Sequence, residues 1–250
     1  MKQPHILCDS KDIAERIILP GDPGRVLKAA EYLDDWKEVS YNREYRTITG
    51  NYKNMPITIT STGIGGVSAA IAVEELIQCG ANSFIRIGSA GALHPDILVG
   101  DLIIPIAAVR EDGASKMYVS ENFPAVSDHN LLKVLINTAE NLGYKYYSGI
   151  IRSHDSFYTD KQQKIINYWA DKNVIASDME TATIFTIAKL RGVKAAAVLN
   201  TVVTSDGDVR QGISDLVNEK NNAKEGEKRE IILALESFYR DYLTENMLIQ

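Results

Sequence analysis

Residues 65–92 read GGVSAAIAVEELIQCGANSFIRIGSAGA, and a change of rhythm inside this stretch decides the fold class. From Val67 to Cys79 the apolar positions Ile71, Leu76 and Cys79, with acidic Glu74 and Glu75 between them, predict an amphipathic helix. Gly80 stops it, as a glycine just past the last helical turn commonly does. Ser83–Gly88 then reads as a short buried strand, Phe84, Ile85 and Ile87 being apolar, and it runs into Ser89-Ala90-Gly91.

The same alternation extends in both directions. Upstream, Arg16–Leu19 is strand-like and ends in Pro20-Gly21-Asp22-Pro23-Gly24, after which Arg25–Leu33 reads as a helix. Pro23 suits a first helical turn, where its missing N–H has no partner to lose. Tyr45–Thr49 and Ile57–Ser61 alternate with a period of two around Lys53-Asn54, the pattern of a hairpin. Downstream, Asp101–Ala107 and Ala195–Val203 are strand-like, while Leu131–Leu142, Ile165–Asp171, Glu180–Arg191 and Glu227–Leu243 are helix-like. Asn218–Gly226 reads as a polar loop. The expectation is one α/β domain over residues 1–250, with a mixed, largely parallel central sheet and helices on both faces. Ligands of such sheets lie at the carboxyl ends of strands, where this chain has Gly21, Ser89 and Asp206.

Composition narrows the function classes. The net charge of −6 gives no general attraction for nucleic acid or an anionic membrane, so neither partner is expected. A phosphate group bound by such a chain has to be held by locally placed arginines and backbone N–H groups. Cys8 and Cys79 are too few for a disulfide framework and lack metal-ligand spacing, so no metal site is expected. The first ten residues lack the apolar core of a secretory signal, and no apolar run reaches the roughly 20 residues of a membrane span. The cytoplasm is the expected location.

Several motifs carry chemistry. Gly21-Asp22-Pro23-Gly24-Arg25 joins a strand to a helix, and such a turn either simply reverses the chain or cradles an anion on free N–H groups beside Arg25. Arg86 lies in an otherwise apolar strand, which is costly unless its guanidinium meets an anion, either an internal carboxylate or a ligand. Asp178-Met179-Glu180 opens a helix, where carboxylates serve the helix dipole or accept hydroxyl groups of a sugar. Arg43, beside Glu44 on a turn, and His5 near the amino terminus carry no signal alone.

In order, Gly21-Asp22-Pro23-Gly24-Arg25, Ser61-Thr62-Gly63-Ile64-Gly65-Gly66, Arg86-Ile87-Gly88-Ser89-Ala90-Gly91-Ala92 and Asp178-Met179-Glu180 resemble the nucleoside phosphorylase-I family. That family includes hexameric purine nucleoside phosphorylases, uridine phosphorylases and methylthioadenosine relatives. The resemblance runs from Pro4 to about Asp206 and implies a phosphorylase/hydrolase-like fold. It implies phosphate-dependent cleavage of a nucleoside's N-glycosidic bond to free base and (deoxy)ribose 1-phosphate. Inorganic phosphate is then a co-substrate, and no cofactor is needed. Phosphate falls to Gly21, Arg25, Arg86 and Ser89, with Arg43 arriving from a neighbouring subunit; ribose falls to Met179, Glu180 and the neighbour's His5. Ala90, Gly91, Phe157 and Asp178 surround the base, Asp178 standing where the family usually has Glu. A homohexamer, a trimer of dimers with shared sites, follows from the same resemblance. Glu44, Ile64 and Ser68 match a monovalent-cation site of some uridine phosphorylases, although a structural Glu44 at a subunit contact is the preferred reading.

The base stays open. Purine enzymes of the family protonate N7 from an Asp after the last sheet strand, and Asp206 in Thr204-Ser205-Asp206-Gly207 is the candidate, or else a plain turn. Uridine phosphorylases clamp uracil with a Gln and an Arg after the stacking Phe, and Thr159–Lys164 has no Arg. The Arg110–Ser115 and Phe123–Val126 stretches look like uridine and parasite purine members. The reading leans to purine nucleosides, with uridine as the alternative. A hydrolytic nucleosidase and a non-catalytic nucleoside-binding protein stand further off, since neither needs three phosphate-directed arginines.

Overall fold

The computed structural model describes residues 2–217 and 221–248. Its elements are β1 (Arg16–Pro20), α1 (Pro23–Ala30), β2 (Asp34–Asn42), β3 (Tyr45–Tyr52), β4 (Met55–Thr60), α2 (Gly66–Gln78), β5 (Ser83–Ala92) and β6 (Leu102–Glu111). There follow α3 (Gly113–Tyr118), β7 (Ala125–Val126), α4 (His129–Asn141), β8 (Tyr146–His154), α5 (Gln162–Ala170) and β9 (Ala176–Asp178). The last are α6 (Thr181–Arg191), β10 (Lys194–Val203), α7 (Val209–Val217) and α8 (Asn221–Leu248). No described helix is long and apolar enough to cross a membrane.

The expected mixed α/β architecture is present. β5 pairs in parallel with β1 on one side and β10 on the other, and β1 pairs in parallel with β4. The β2-β3-β4 meander is antiparallel and forms one edge. At the other side the sheet closes on itself: β10 meets β6, β6 meets β8, β8 meets β9, and β9 returns to β5. This closure is not visible in the sequence pattern. One cause is local, a register shift between Pro105 and Ala107 where β6 runs beside β8. Proline cannot donate to the ladder, and an irregularity of this kind bends the strand that carries it.

Alternation along the central strands splits the core in two. Ala195, Ala197 and Leu199 of β10 join Val73 and Leu76 of α2 and Phe185 and Ile187 of α6 on one face. Ala196 and Val198 join Val26 of α1, Leu131 and Leu135 of α4, and Leu235 and Phe238 of α8 on the other. In α6, Thr181 through Ala188 are all buried, so this helix is wrapped by protein rather than laid on the surface.

Several segments depart from the sequence expectations, which did not include β2, α3, β7, β8, β9 or α7. β2 was not legible because it is a polar edge strand, exposed from Asp34 to Glu38 and without alternation. α7 had no clear local pattern either. The polar loop expected over 218–226 is helix from Asn221 onward; residues 218–220 lie outside the described residues. What orders 221–226 is tertiary: Asn200 Nδ2 of β10 donates to Ala223 O at 2.8 Å. A Cβ on Gly226 would come within 2.0 Å of Asn200 Oδ1, so only glycine lets α8 approach β10 this closely.

Candidate active site

The register of the central strands brings the candidate residues together. Leu19 pairs with Arg86 across β1 and β5, and Asn200 pairs with Ser89 across β10 and β5. The turn after β1, the end of β5 and the start of α6 therefore meet at one end of the sheet. Asp22 caps α1 by accepting from Gly24 N at 2.9 Å, with Pro23 at the helix start as expected. Gly21 is held against the next loop, its carbonyl accepting from Gly63 N at 3.0 Å.

Arg25 leaves the first turns of α1 and is 4% exposed. Its Nη2 donates to Ser89 Oγ at 3.2 Å, which joins two of the expected phosphate ligands. Its Nε donates to Glu227 Oε1 at 2.8 Å, and Nη1 lies 3.3 Å from Glu230 Oε1. Both glutamates stand on α8, and their role was not anticipated from the sequence.

Arg86 is 2% exposed. Nε donates to Asp178 Oδ2 at 3.0 Å and Nη2 to Glu180 Oε2 at 2.5 Å. Nη1 is buried and donates to no atom among the described residues. A buried guanidinium N–H in that condition calls for an acceptor. Gly88 makes the arrangement possible, since a Cβ there would lie 2.7 Å from Arg86 Nη2.

Glu180 faces the same space. Its Oε1 accepts from Gly65 N at 2.6 Å, at the mouth of α2, where Gly65 takes φ +91°. Burial pushes its carboxyl above the usual range, Arg86 pulls it back down, and Asp178 nearby adds to the rise. Asp178 itself has no accessible side-chain surface. Oδ2 accepts from Arg86 and from Thr181 N and Oγ1, and Oδ1 accepts from Ser153 Oγ at 2.5 Å. Both oxygens thus accept inside the protein, where they hold Arg86 and the first N–H of α6. Met179 between the two carboxylates is half-buried.

His5 and Arg43 lie elsewhere on the same chain and beside one another. Asn42 Nδ2 donates to His5 O at 2.8 Å. His5 Nδ1 and Glu75 Oε1 are 2.6 Å apart, so Glu75 of α2 fixes the ring. Arg43 is exposed at the tip between β2 and β3, with φ +55°, and pairs with no carboxylate among the described residues. Neither residue bonds to Arg25, Arg86 or Ser89 of its own chain.

On the base side, Ala90 and Gly91 end the stretch of β5 that pairs with β10. Phe157 follows β8 and stacks edge-on against Tyr158 at 4.9 Å, while Arg210 of α7 lies over the Tyr158 ring at 5.3 Å. Asp206 is exposed in the turn where Gly207 N donates to Thr204 O at 3.0 Å. Glu44, Ile64 and Ser68 do come together: Glu44 Cγ packs against Gly63, and Ser68 Oγ donates to Ile64 O at 3.0 Å.

Two buried arginines, one of them donating to a serine hydroxyl, next to a buried carboxylate, can seat a tetrahedral anion and a polyhydroxylated ligand side by side. Residues 15–238 match the model of the phosphorylase superfamily. The chain is 46% identical over 208 residues to a uridine phosphorylase of Thermococcus kodakarensis, covering 78% of this chain and 75% of that protein. It is 42% identical to a guanosine phosphorylase of Halorubrum lacusprofundi, covering 84% and 86%. The crystal structure of a uridine phosphorylase from Vibrio fischeri ES114, complexed with 6-hydroxy-1-naphthoic acid, superposes with a TM-score of 0.90 at 44% identity, covering 96% and 97%.

Proposed function

Since the chain belongs to the phosphorylase superfamily, we propose that it splits uridine with inorganic phosphate, releasing uracil and ribose 1-phosphate without a cofactor. Nucleoside phosphorolysis is the activity its relatives share, and the chain is a pentosyltransferase. The observation that carries the site assignment is Arg86 Nη1, a buried donor without an acceptor among the described residues, within electrostatic reach of Arg25.

In this reading phosphate lies on Arg86 Nη1, Arg25 Nη2, Ser89 Oγ and the Gly21 turn, with Arg43 of a neighbouring subunit closing over it. Glu180, Met179 and the neighbour's His5 hold the ribose so that C1′ faces the phosphate oxygen. As the glycosidic bond stretches, the sugar gains positive charge. The phosphate anion on one face and the Glu180 carboxylate are placed to stabilise that charge in a site shielded from water. Phe157 covers the base, with Ala90 and Gly91 lining its other side. His5 and Arg43 sit side by side on the chain, which suits donation of both to one neighbouring site within a homohexamer.

The preference for uridine reverses the lean drawn from the sequence. That lean rested on Asp206, which stands exposed in its turn with no partner orienting it among the described residues, and on the lack of an Arg in Thr159–Lys164 to clamp uracil. Two of the three relatives described above are uridine phosphorylases. The halophile relative's name favours a purine nucleoside as the second reading. Rates of phosphorolysis for uridine, thymidine, inosine, guanosine and adenosine decide between them: uridine is expected to lead, and a purine nucleoside in first place would overturn the assignment.

A further inference from the structure

Arg25 is expected to meet phosphate, yet most of its donors already face carboxylates inside the protein. Glu227 and Glu230 are three residues apart on α8, so both project from one helix face toward α1 and β5. Glu227 uses one oxygen on Arg25 Nε and the other on Lys28 Nζ, each at 2.8 Å. Glu230 is fully buried; its Oε2 accepts from Gly88 N of β5 at 3.1 Å, and its Oε1 faces Arg25 Nη1 without a hydrogen bond of good geometry. Only the Nη2 edge of Arg25, the one touching Ser89, points away from α8.

We propose that these two carboxylates are positioning residues for the phosphate nucleophile: Glu227 fixes the guanidinium plane of Arg25, and Glu230 is an internal carboxyl that must stay protonated for phosphate to take the place of its charge against Arg25. The proposal rests on the reading of Arg25 as a phosphate ligand. Charge balance motivates it. Within one chain the site's two arginines, Arg25 and Arg86, face four carboxylates: Asp178, Glu180, Glu227 and Glu230. With all four ionised, the pocket repels an anion. One neutral carboxyl relieves this; burial raises both Glu180 and Glu230, and of the two carboxyls on α8 that face Arg25 Glu230 is the one the surroundings favour.

Burial pushes Glu230 up to about 8, against the pull of Arg25 and Arg86 and the Gly88 N–H, while the neighbouring Glu227 charge adds to the rise. Burial works on Glu227 in the same direction, but Arg25 and Lys28 together hold it below the usual carboxylate range. Glu227 is thus the standing anion and Glu230 the proton carrier. The groups facing Glu230 are Arg25 from α1, with Lys28 beyond Glu227; Arg86 from β5; and Glu227 on its own helix. A phosphate anion beside Arg25 disfavours the ionised form of Glu230 further, so binding and protonation are linked. As pH rises through about 8, Glu230 ionises and competes with phosphate for Arg25.

The test is the KM for phosphate between pH 7 and 9.5, at saturating nucleoside, in the intact wild type and in Glu230→Gln. Gln keeps an acceptor for Gly88 N–H but cannot ionise. The wild-type KM is expected to rise toward about tenfold per pH unit above the ionisation of Glu230, with kcat and the nucleoside KM following another course. In Glu230→Gln the rise disappears. The ionisation of phosphate itself is common to both proteins and cancels in the comparison. Glu227→Ala is expected to raise the phosphate KM at least tenfold at pH 7, roughly the weight of a charge-assisted hydrogen bond, with Glu227→Gln recovering part of the loss. A wild-type KM that stays flat across this range overturns the proposal even if no variant folds, and so does an identical rise in Glu230→Gln. Turnover that needs no phosphate would instead sink the phosphorolytic reading.

Discussion

Alanine at position 88 probes the alignment of the nucleophile without replacing a ligand-binding side chain. The added Cβ would stand 2.7 Å from Arg86 Nη2 and 2.9 Å from Cζ, where real Cβ contacts start above 3.0 Å and relax to ordinary contact at 3.4 Å. The guanidinium must therefore retreat by about 0.7 Å, the gap between 2.7 and 3.4 Å. It cannot swing freely, because Asp178 holds Nε and Glu180 holds Nη2. The retreat thus drags Nη1, the donor assigned to phosphate, and loosens Glu180 as well. Displacement of a positioning group by close to 1 Å costs roughly 10²-fold. Gly88→Ala is expected to lose about that much in kcat/KM for phosphate, measured from initial rates at saturating uridine. Gly88 does not need a positive φ and its N–H still reaches Glu230, so the melting temperature should move by only about 2–4 °C, the equivalent of about 1 kcal/mol. A folded Gly88→Ala enzyme within about twofold of wild-type kcat/KM would refute the placement of Arg86 against phosphate.

Other expectations follow from the same geometry. Glu180→Gln should lower kcat/KM for uridine about 10- to 150-fold, the worth of a hydrogen bond to a charged group. Because the Glu180 carboxyl is raised, the wild type should lose its ionised form, and with it activity, as pH falls, at a pH above that of an ordinary carboxylate; the pH–rate profile of Glu180→Gln should lack that limb. Arg43→Ala should keep the wild-type melting temperature, since the side chain is exposed, yet be inactive. Mixing it with inactive Arg25→Ala protomers should restore activity, and no rescue after verified subunit exchange would count against shared sites. Asp206→Asn should leave uridine turnover unchanged, whereas a fall of the 10²–10⁴-fold that general acids supply would assign Asp206 to the departing base.

Much of this architecture could be read from the chain because its signals are local. The helix over 67–79, the strand bearing Arg86, the hairpin around Lys53-Asn54 and the Pro23 helix start each depend on neighbours in sequence. Arg86 was legible as well, since a guanidinium in an apolar strand demands an anion; the sequence left open whether that anion is internal, and Asp178 and Glu180 supply part of it. What escaped depends on distance along the chain. Glu227 and Glu230 reach Arg25 across some two hundred residues, and a Glu three residues from another on an amphipathic helix looks like any solvated face. Glu75 and His5 are separated in the same way. Asp178 was placed on the base by its motif, but its committed oxygens are a property of β8 and α6 meeting at Ser153 and Thr181. The polar composition of 221–226 suggested a loop, and only the seat on Asn200 makes it helix.

The central claim is that phosphate, held by Arg25 and Arg86, is the nucleophile that takes the sugar from the base. Following uridine cleavage by phosphorus and proton NMR together, in the presence of inorganic phosphate, tests it directly. One ribose 1-phosphate should form for every uracil released, with no cleavage when phosphate is omitted; free ribose appearing at the same rate with or without phosphate would refute the assignment.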